Sequence, residues 1–103
     1  MKLIEKLSAM VDEEIEDAKK YAKCAVKYKD ERSALAKTFY DLSGEEMRHM
    51  TMLHAEVEAV IQKYRQEHGE PPEGMKSLYE YLHEKQIEKA ADVRRLQDMY
   101  RGA

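Results

Sequence analysis

The first 68 residues of this 103-residue chain contain nothing that must break a helix. No proline precedes Pro71, the only glycine is Gly44, and the remainder is rich in alanine, leucine, glutamate, lysine and methionine, which favour helices. An unbroken helix over residues 2–68 would be about 100 Å long at 1.5 Å per residue. A chain this short must bury its apolar residues in a compact core, so we expect the segment to fold back on itself.

Two segments carry signals for a change of direction. In KYKDERS (27–33), the lysines suit the C-terminal end of one helix and Asp30 can cap the start of the next. In HGEPPEGM (68–75), two glycines flank a pair of prolines, so no helix passes through. We therefore predict one all-α domain over residues 1–103, in which a long antiparallel hairpin is followed by a shorter helix. The expected bounds are helix 1 at about 2–28, helix 2 at about 31–67, a linker at 68–75 and helix 3 at about 76–100.

Composition excludes several classes of function. The 18 basic and 21 acidic residues are interspersed and give a net charge of −3, which argues against nucleic-acid binding. The single cysteine, Cys24, excludes an internal disulfide and a thiolate metal cluster within one chain. No apolar stretch approaches the roughly 20 residues that span a bilayer, and charges interrupt the N-terminus before a signal-peptide core could form. We expect a cytoplasmic protein that neither binds a membrane nor is exported.

Ionisable side chains interrupt the apolar stripes of both long helices. Glu14 falls in phase with the apolar positions of helix 1, and Glu46 and His49 fall in phase with those of helix 2. A carboxylate on a buried stripe is costly unless it is paired, protonated or bound to a cation. The apolar positions are Leu3, Leu7, Met10, Ala18, Tyr21, Ala25 and Tyr28 in helix 1, and Leu35, Phe39, Leu42, Leu53, Val57, Val60 and Tyr64 in helix 2.

The lengths of the two arms decide whether these groups meet. If the chain reverses at about Asp30, Glu14 lies 16 residues before the turn and Glu46 lies 16 residues after it (30 − 14 = 46 − 30). His49 lies one turn beyond Glu46 on the same face. One hairpin thus offers one Glu and one Glu-x-x-His, which is half of a carboxylate-bridged two-metal site in a four-helix bundle. Two hairpins related by a two-fold axis would supply four Glu and two His, a donor set suited to Fe, Mn or Zn.

These residues resemble the motifs of the ferritin-like superfamily. EEIEDAKKY (13–21) resembles the first-helix motif, and EEMRH (45–49) resembles the second-helix Glu-x-x-His. The closest resemblance is to the encapsulated-ferritin type, whose short subunits each contribute half a bundle, with a rubrerythrin-like protein as second choice. It implies a ferroxidase centre with two iron ions at each dimer interface, in which Glu14, Glu46 and His49 are the ligands and the reacting groups, and Glu13 and Glu16 guide metal entry.

The resemblance also implies a homo-oligomer, which is at least a dimer, with a ring of dimers as a larger alternative. A full ferritin subunit needs four long helices, and a full rubrerythrin needs a four-cysteine iron module, so the chain departs from both. The C-terminus has no recognisable targeting tail, which argues against association with a protein shell.

Other interpretations of the same residues stay open. SGEE (43–46) fits a capping box, in which Glu46 would be structural. A second Glu-x-x-His, Glu80 and His83, lies on the more polar side of helix 3, and we expect it to face solvent unless helix 3 completes a site within one chain. The rival function is a non-enzymatic dimerisation or adaptor module, in which a buried Glu and His network fixes helix register.

Overall fold

The computed structural model of the chain describes residues 1–102, which form three α-helices: α1 at Lys2–Tyr28, α2 at Ser33–His68 and α3 at Glu73–Arg101. The all-α prediction is confirmed. The 36 residues of α2 correspond to about 54 Å at 1.5 Å per residue, which matches the longest dimension of a molecule measuring 55 × 19 × 18 Å. The protein is therefore a slender bundle as long as its second helix. None of its described helices has an apolar stretch that could cross a membrane.

The reversal between α1 and α2 occupies residues 29–32. The amide of Arg32 donates to the carbonyl of Tyr28 at 2.9 Å, which closes the turn through the backbone. The expectation that Asp30 caps the second helix is wrong, because Asp30 lies within the turn and Arg32 occupies the N-cap position without a side-chain cap. The helix consequently begins at Ser33, two residues later than predicted.

The linker between α2 and α3 is only four residues long, at 69–72. Gly69 has φ of +78°, which only glycine adopts without strain, and its amide donates to the carbonyl of Arg65 at 2.9 Å. Pro72 occupies the N-cap position of α3 with φ of −53°. A proline is tolerated at a helix start because its missing N–H would have no partner there. For this reason α3 begins at Glu73, three residues earlier than predicted.

The core lies along α1, which packs against both other helices, whereas α2 and α3 contact each other little. Val11, Ile15 and Ala18 of α1 surround Val93 of α3, and all four are essentially inaccessible to solvent. Met47, Met50 and Leu53 of α2 pack against this cluster. The small alanines of α1 allow close helix approach, and the buried residues are Ile4, Val11, Ile15, Ala18, Ala22, Ala25, Ala36, Ser43, Gln86, Ala90, Val93 and Leu96.

A buried serine joins all three helices. The Ser43 hydroxyl, fully inaccessible, donates to the carbonyl of Ala18 at 2.8 Å and accepts a hydrogen bond from Gln97 Nε2 at 3.0 Å. Buried polar groups specify one arrangement when all their hydrogen bonds are made, because any shift in register leaves one unsatisfied. Ser43 thus fixes the register of α2 against α1 and α3.

One side of the hairpin is not covered by α3. The α1 residues that contact α3 through their polar atoms, Ser8 and Lys19, lie on the opposite side of that helix from Met10. Leu3 keeps 51% of its surface exposed and Met10 keeps 38%, so the apolar stripe predicted to be buried is only partly so within one chain. We call this surface the open face; its residues are Leu3, Leu7, Met10 and Tyr21 of α1, with Leu35, Phe39, Leu42 and Leu53 of α2.

Candidate metal centre

The structure brings Glu14, Glu46 and His49 together. Nδ1 of His49 lies 3.5 Å from Oε2 of Glu14 and 3.6 Å from Oε2 of Glu46. One donor atom from each of the three side chains lies within 4.8 Å of the others. Within residues 1–102 this is the one group of three or more acidic, histidine or cysteine side chains so arranged. We refer to Glu14, Glu46 and His49 as the trio.

The equal arms of the hairpin set the height of the trio, and Ser43 fixes it. The turn at residues 29–32 is centred close to Asp30, so α1 and α2 bring residues 14 and 46 level. Ala18, which accepts the Ser43 hydrogen bond, lies one turn after Glu14, and Ser43 lies one turn before Glu46. The hydrogen bond from Ser43 to Ala18 is therefore adjacent to the trio on both helices, and it aligns the two carboxylates.

The trio lies in a partly dry environment on the open face. The side chains of Glu46 and Glu14 are 19% and 25% exposed, and that of His49 is 44% exposed. Oε2 of Glu14 is buried and makes no hydrogen bond within residues 1–102, although Nδ1 of His49 lies 3.5 Å away. A buried carboxylate oxygen without a donor is destabilising unless a proton or a cation occupies the space beside it.

The Glu14 carboxyl group disfavours the ionised form of Glu46. Hydrogen bonding to Glu14 raises the pKa of Glu46 above its ordinary value, because the protonated form can donate to the Glu14 carboxylate. Burial and the negative charge of Glu14 act in the same direction, and His49 opposes them. The adjacent Glu45 behaves in the opposite way: its pKa is lowered by a hydrogen bond from Arg48, 2.6 Å away. The pKa values of these two neighbouring glutamates shift in opposite directions because of what each side chain contacts in the folded structure, and not because of their place in the sequence.

The donor atoms are spaced almost as a metal ion requires. Ligands at about 2.1 Å from a metal, separated by angles of 90–110°, lie about 3.0–3.4 Å from one another. The two measured separations from His49 Nδ1 are slightly longer, so a small inward movement of the side chains would suffice. Two carboxylates and one imidazole are hard to borderline donors, which suit Fe, Mn or Zn. They fill only part of a coordination sphere.

The capping-box interpretation of SGEE is excluded by the structure. Ser43 lies inside the continuous helix α2, and its hydroxyl bonds to Ala18 instead of to an amide of its own helix. Gly44, in the interior of α2, has no closely approaching helix within residues 1–102, because a Cβ atom added there would meet nothing within 4 Å.

The remaining candidates are placed as follows. Glu13 and Glu16 are exposed beside the trio, and Glu80 and His83 of α3 are also exposed. His83, however, stacks on His54 of α2, with ring centroids 4.8 Å apart. His54 is half-buried, and its spacing of four from Met50, which packs on the core, is the feature of the sequence that could have indicated this position.

Comparison with known proteins identifies no relative: no family model, curated protein or solved structure matches this chain.

Proposed function

We propose that this chain is a ferritin-like metal-binding protein in which the trio forms half of a di-iron site. The observation that carries the proposal is the position of the trio: two carboxylates and an imidazole converge at the middle of an otherwise apolar, uncovered face. Polar groups placed there for solvation alone would not need to converge. A carboxylate oxygen that is buried without a donor fits a cation-binding role.

A second copy of the chain is the occupant that best fits the open face. A two-fold axis through this face would bury the exposed leucines and Met10 of both chains and place the two trios opposite one another. Four Glu and two His would then surround two metal ions in the core of a four-helix bundle, with α3 of each chain outside it. A ring of such dimers is the larger assembly consistent with the same contact.

The proposed activity is oxidation of Fe(II), the substrate. Two Fe(II) ions give up two electrons, and one O₂ takes them with two protons to form H₂O₂, leaving two Fe(III) ions. The carboxylates of Glu14 and Glu46 would favour the product because hard anionic oxygens stabilise the higher charge. Glu46 must be ionised to bind metal, and because its pKa is raised, metal binding at a pH below that pKa should release a proton. Manganese or zinc would also fit the donors.

Metal analysis after anaerobic loading with Fe(II) tests the site. We expect about one iron per chain in the wild type, loss of that iron in Glu46→Ala, and retention in Glu45→Ala, whose carboxylate points to Arg48. Stopped-flow formation of Fe(III) with oxygen consumption then tests the activity. Iron content that is equal in the two variants would contradict the proposal.

The shared site is tested by sedimentation. Met10→Lys puts a charge on the open face one turn from Glu14, whereas Ile87→Lys makes the same change on α3, where the side chain is also exposed. We expect Met10→Lys to dissociate the dimer and to lose iron, and Ile87→Lys to keep both. A monomeric wild type that retains its full metal content would show that the site needs no partner.

The open face also supports the rival function, a helical dimerisation module whose Glu and His network sets register. In that case dimerisation would not depend on metal, and Fe(II) loading would leave the protein iron-free. The two functions therefore differ in the iron content of the purified dimer.

A further inference from the structure

A cleft of about 170 Å³ lies between α2 and α3, away from the trio. The two helices diverge there, because both pack against α1 and they contact each other little. Most of the lining is apolar. An apolar cavity of about 150 Å³ holds benzene, so this cleft has room for an apolar group of about six to eight carbon atoms. Its apolar side chains are Ile4 of α1, Val57 and Ile61 of α2, Pro71 of the linker, and Tyr79 and Leu82 of α3.

Two positively charged side chains line the end of the cleft next to the linker. Arg65 lies in the last turn of α2 and Lys76 in the first turn of α3, and both are half-buried. None of the ion pairs formed within residues 1–102 involves Lys76. Half-buried charges are less screened by water than exposed ones. This end of the cleft therefore favours an anion.

The guanidinium group of Arg65 has a hydrogen-bond donor that the described chain does not use. Its Nε atom is buried and makes no hydrogen bond within residues 1–102, although Oε2 of Glu70 lies 3.4 Å away. The Glu70 side chain is 67% exposed, so this ion pair is weak. A buried N–H group without an acceptor is destabilising, and a carboxylate can accept two parallel hydrogen bonds from a guanidinium group. The unused donor therefore points to a carboxylate ligand.

The imidazole and acidic groups of the cleft lie farther from the linker. His54, which stacks on His83, precedes Arg65 by eleven residues, or about 16 Å along α2. Glu58 precedes Arg65 by seven residues, or about 10 Å. Glu58 and Glu80 are both exposed, so solvent screens their charges. A ligand with one anionic end and an apolar remainder matches this distribution of charge.

We propose that this cleft binds a small monocarboxylate with an apolar tail, of the short- to medium-chain fatty-acid class. The carboxylate accepts hydrogen bonds from Arg65 and lies beside the Lys76 ammonium group, and the tail packs against Val57, Ile61 and Leu82. The ligand fills the space that α2 and α3 leave between them. This site is independent of the proposed di-iron function, because no residue of the trio lines the cleft.

Calorimetric titration of the metal-free full chain with hexanoate, heptanoate and octanoate tests the tail. Burial of one methylene group changes an equilibrium constant about fourfold, so we expect octanoate to bind about 16-fold more tightly than hexanoate. Octylamine has a similar tail and the opposite charge, and it should bind about tenfold more weakly than octanoate. Affinity that does not rise with chain length, or equal affinity for octanoate and octylamine, would overturn the proposal.

Arg65→Gln and Lys76→Gln test the recognition of the carboxylate. Each substitution removes a charge and keeps a polar side chain, and we expect each to weaken octanoate binding about tenfold. Lys63→Gln is the matched control, because it removes an exposed lysine of α2 that does not line the cleft, and it should leave octanoate affinity unchanged. Equal octanoate affinity in all three variants would overturn the proposal.

Methyl resonances in NMR spectra locate the ligand, since the open face is also apolar. We expect octanoate to shift the methyl resonances of Val57 and Ile61 and to leave those of Leu3 and Leu35 on the open face unchanged. Shifts of equal size on both surfaces, or shifts on the open face alone, would overturn the proposal. Failure of iron binding at the trio would contradict the di-iron function alone, because these titrations use metal-free protein.

Discussion

Replacement of Glu46 by glutamine should stabilise the metal-free protein while it abolishes iron binding. The native side chain brings a second negative charge near Glu14, whose Oε2 is buried without a donor. The glutamine amide removes that charge and can donate a hydrogen bond to the same oxygen. Glutamate and glutamine have similar helix propensities, so the backbone contributes little to the difference.

The expected gain follows from two contributions. Two unit charges 4.8 Å apart, the upper limit for the trio, repel by about 0.9 kcal/mol in water and about 3.5 kcal/mol at an effective dielectric constant of 20. The partial exposure of both side chains favours the lower part of this range, and the lost attraction to His49 reduces it further. A new hydrogen bond adds about 0.5–1.5 kcal/mol. We expect a net gain of about 1–2 kcal/mol, or roughly 5–15 °C in Tm for a domain of this size.

Thermal and urea denaturation in the presence of a chelator would measure this gain. Glu45→Gln is the matched control: it removes an adjacent carboxylate whose partner is Arg48, so we expect no gain from it. Both variants must be compared with the wild type at one protein concentration, because any self-association makes Tm concentration-dependent. The reasoning is refuted if Glu46→Gln is no more stable than Glu45→Gln in the absence of metal.

The raised pKa of Glu46 also gives this effect a definite dependence on pH. Between the ordinary value of 4.5 and the raised value, the native state holds a proton that the unfolded state has lost. The contribution of Glu46 to stability is therefore lost as pH rises from about 4.5 through the raised pKa. The advantage of Glu46→Gln over the wild type should grow across this window. An advantage of the same size at pH 4 and pH 7 would contradict the assignment.

Two further predictions concern the scaffold of the site, and both are checked by chemical denaturation. Ser43→Ala removes the hydroxyl that bonds to α1 and α3 and should reduce the free energy of unfolding by about 1–3 kcal/mol. Ser77→Ala, at an exposed position of α3, should change stability little. Equal effects of the two substitutions would show that the Ser43 hydrogen bonds are unimportant for stability. Gly44→Ala should stabilise the chain by up to about 1 kcal/mol, because an added Cβ meets nothing within 4 Å. Gly69→Ala should destabilise it by about 1–2 kcal/mol because of its positive φ. A loss of stability in Gly44→Ala would indicate a neighbour supplied by a partner chain.

The alignment of the trio was predictable from helical periodicity and from the lengths of the two helices on either side of the turn. A helix has a fixed rise per residue, so a reversal near Asp30 sets residues 14 and 46 level whatever the details of the turn. The turn itself was less predictable. Asp30 has the chemistry of a cap, but the backbone bond from Arg32 to Tyr28 closes the reversal without it. Caps contribute about 1 kcal/mol, and packing of two long helices easily outweighs that amount.

Sequence alone determined that this chain is helical, that it reverses near residue 30 and that Glu14, Glu46 and His49 share a height and a face. These properties follow from local propensity and helical geometry, which depend only on residue identity and spacing. Only the tertiary structure decided which side of the hairpin α3 covers. The apolar residues of α1 extend around more than one face, so the stripe through Val11 and Ile15 was as available to α3 as the stripe through Met10. Because α3 packs on the former, the trio lies on an open apolar face and His83 lies against His54.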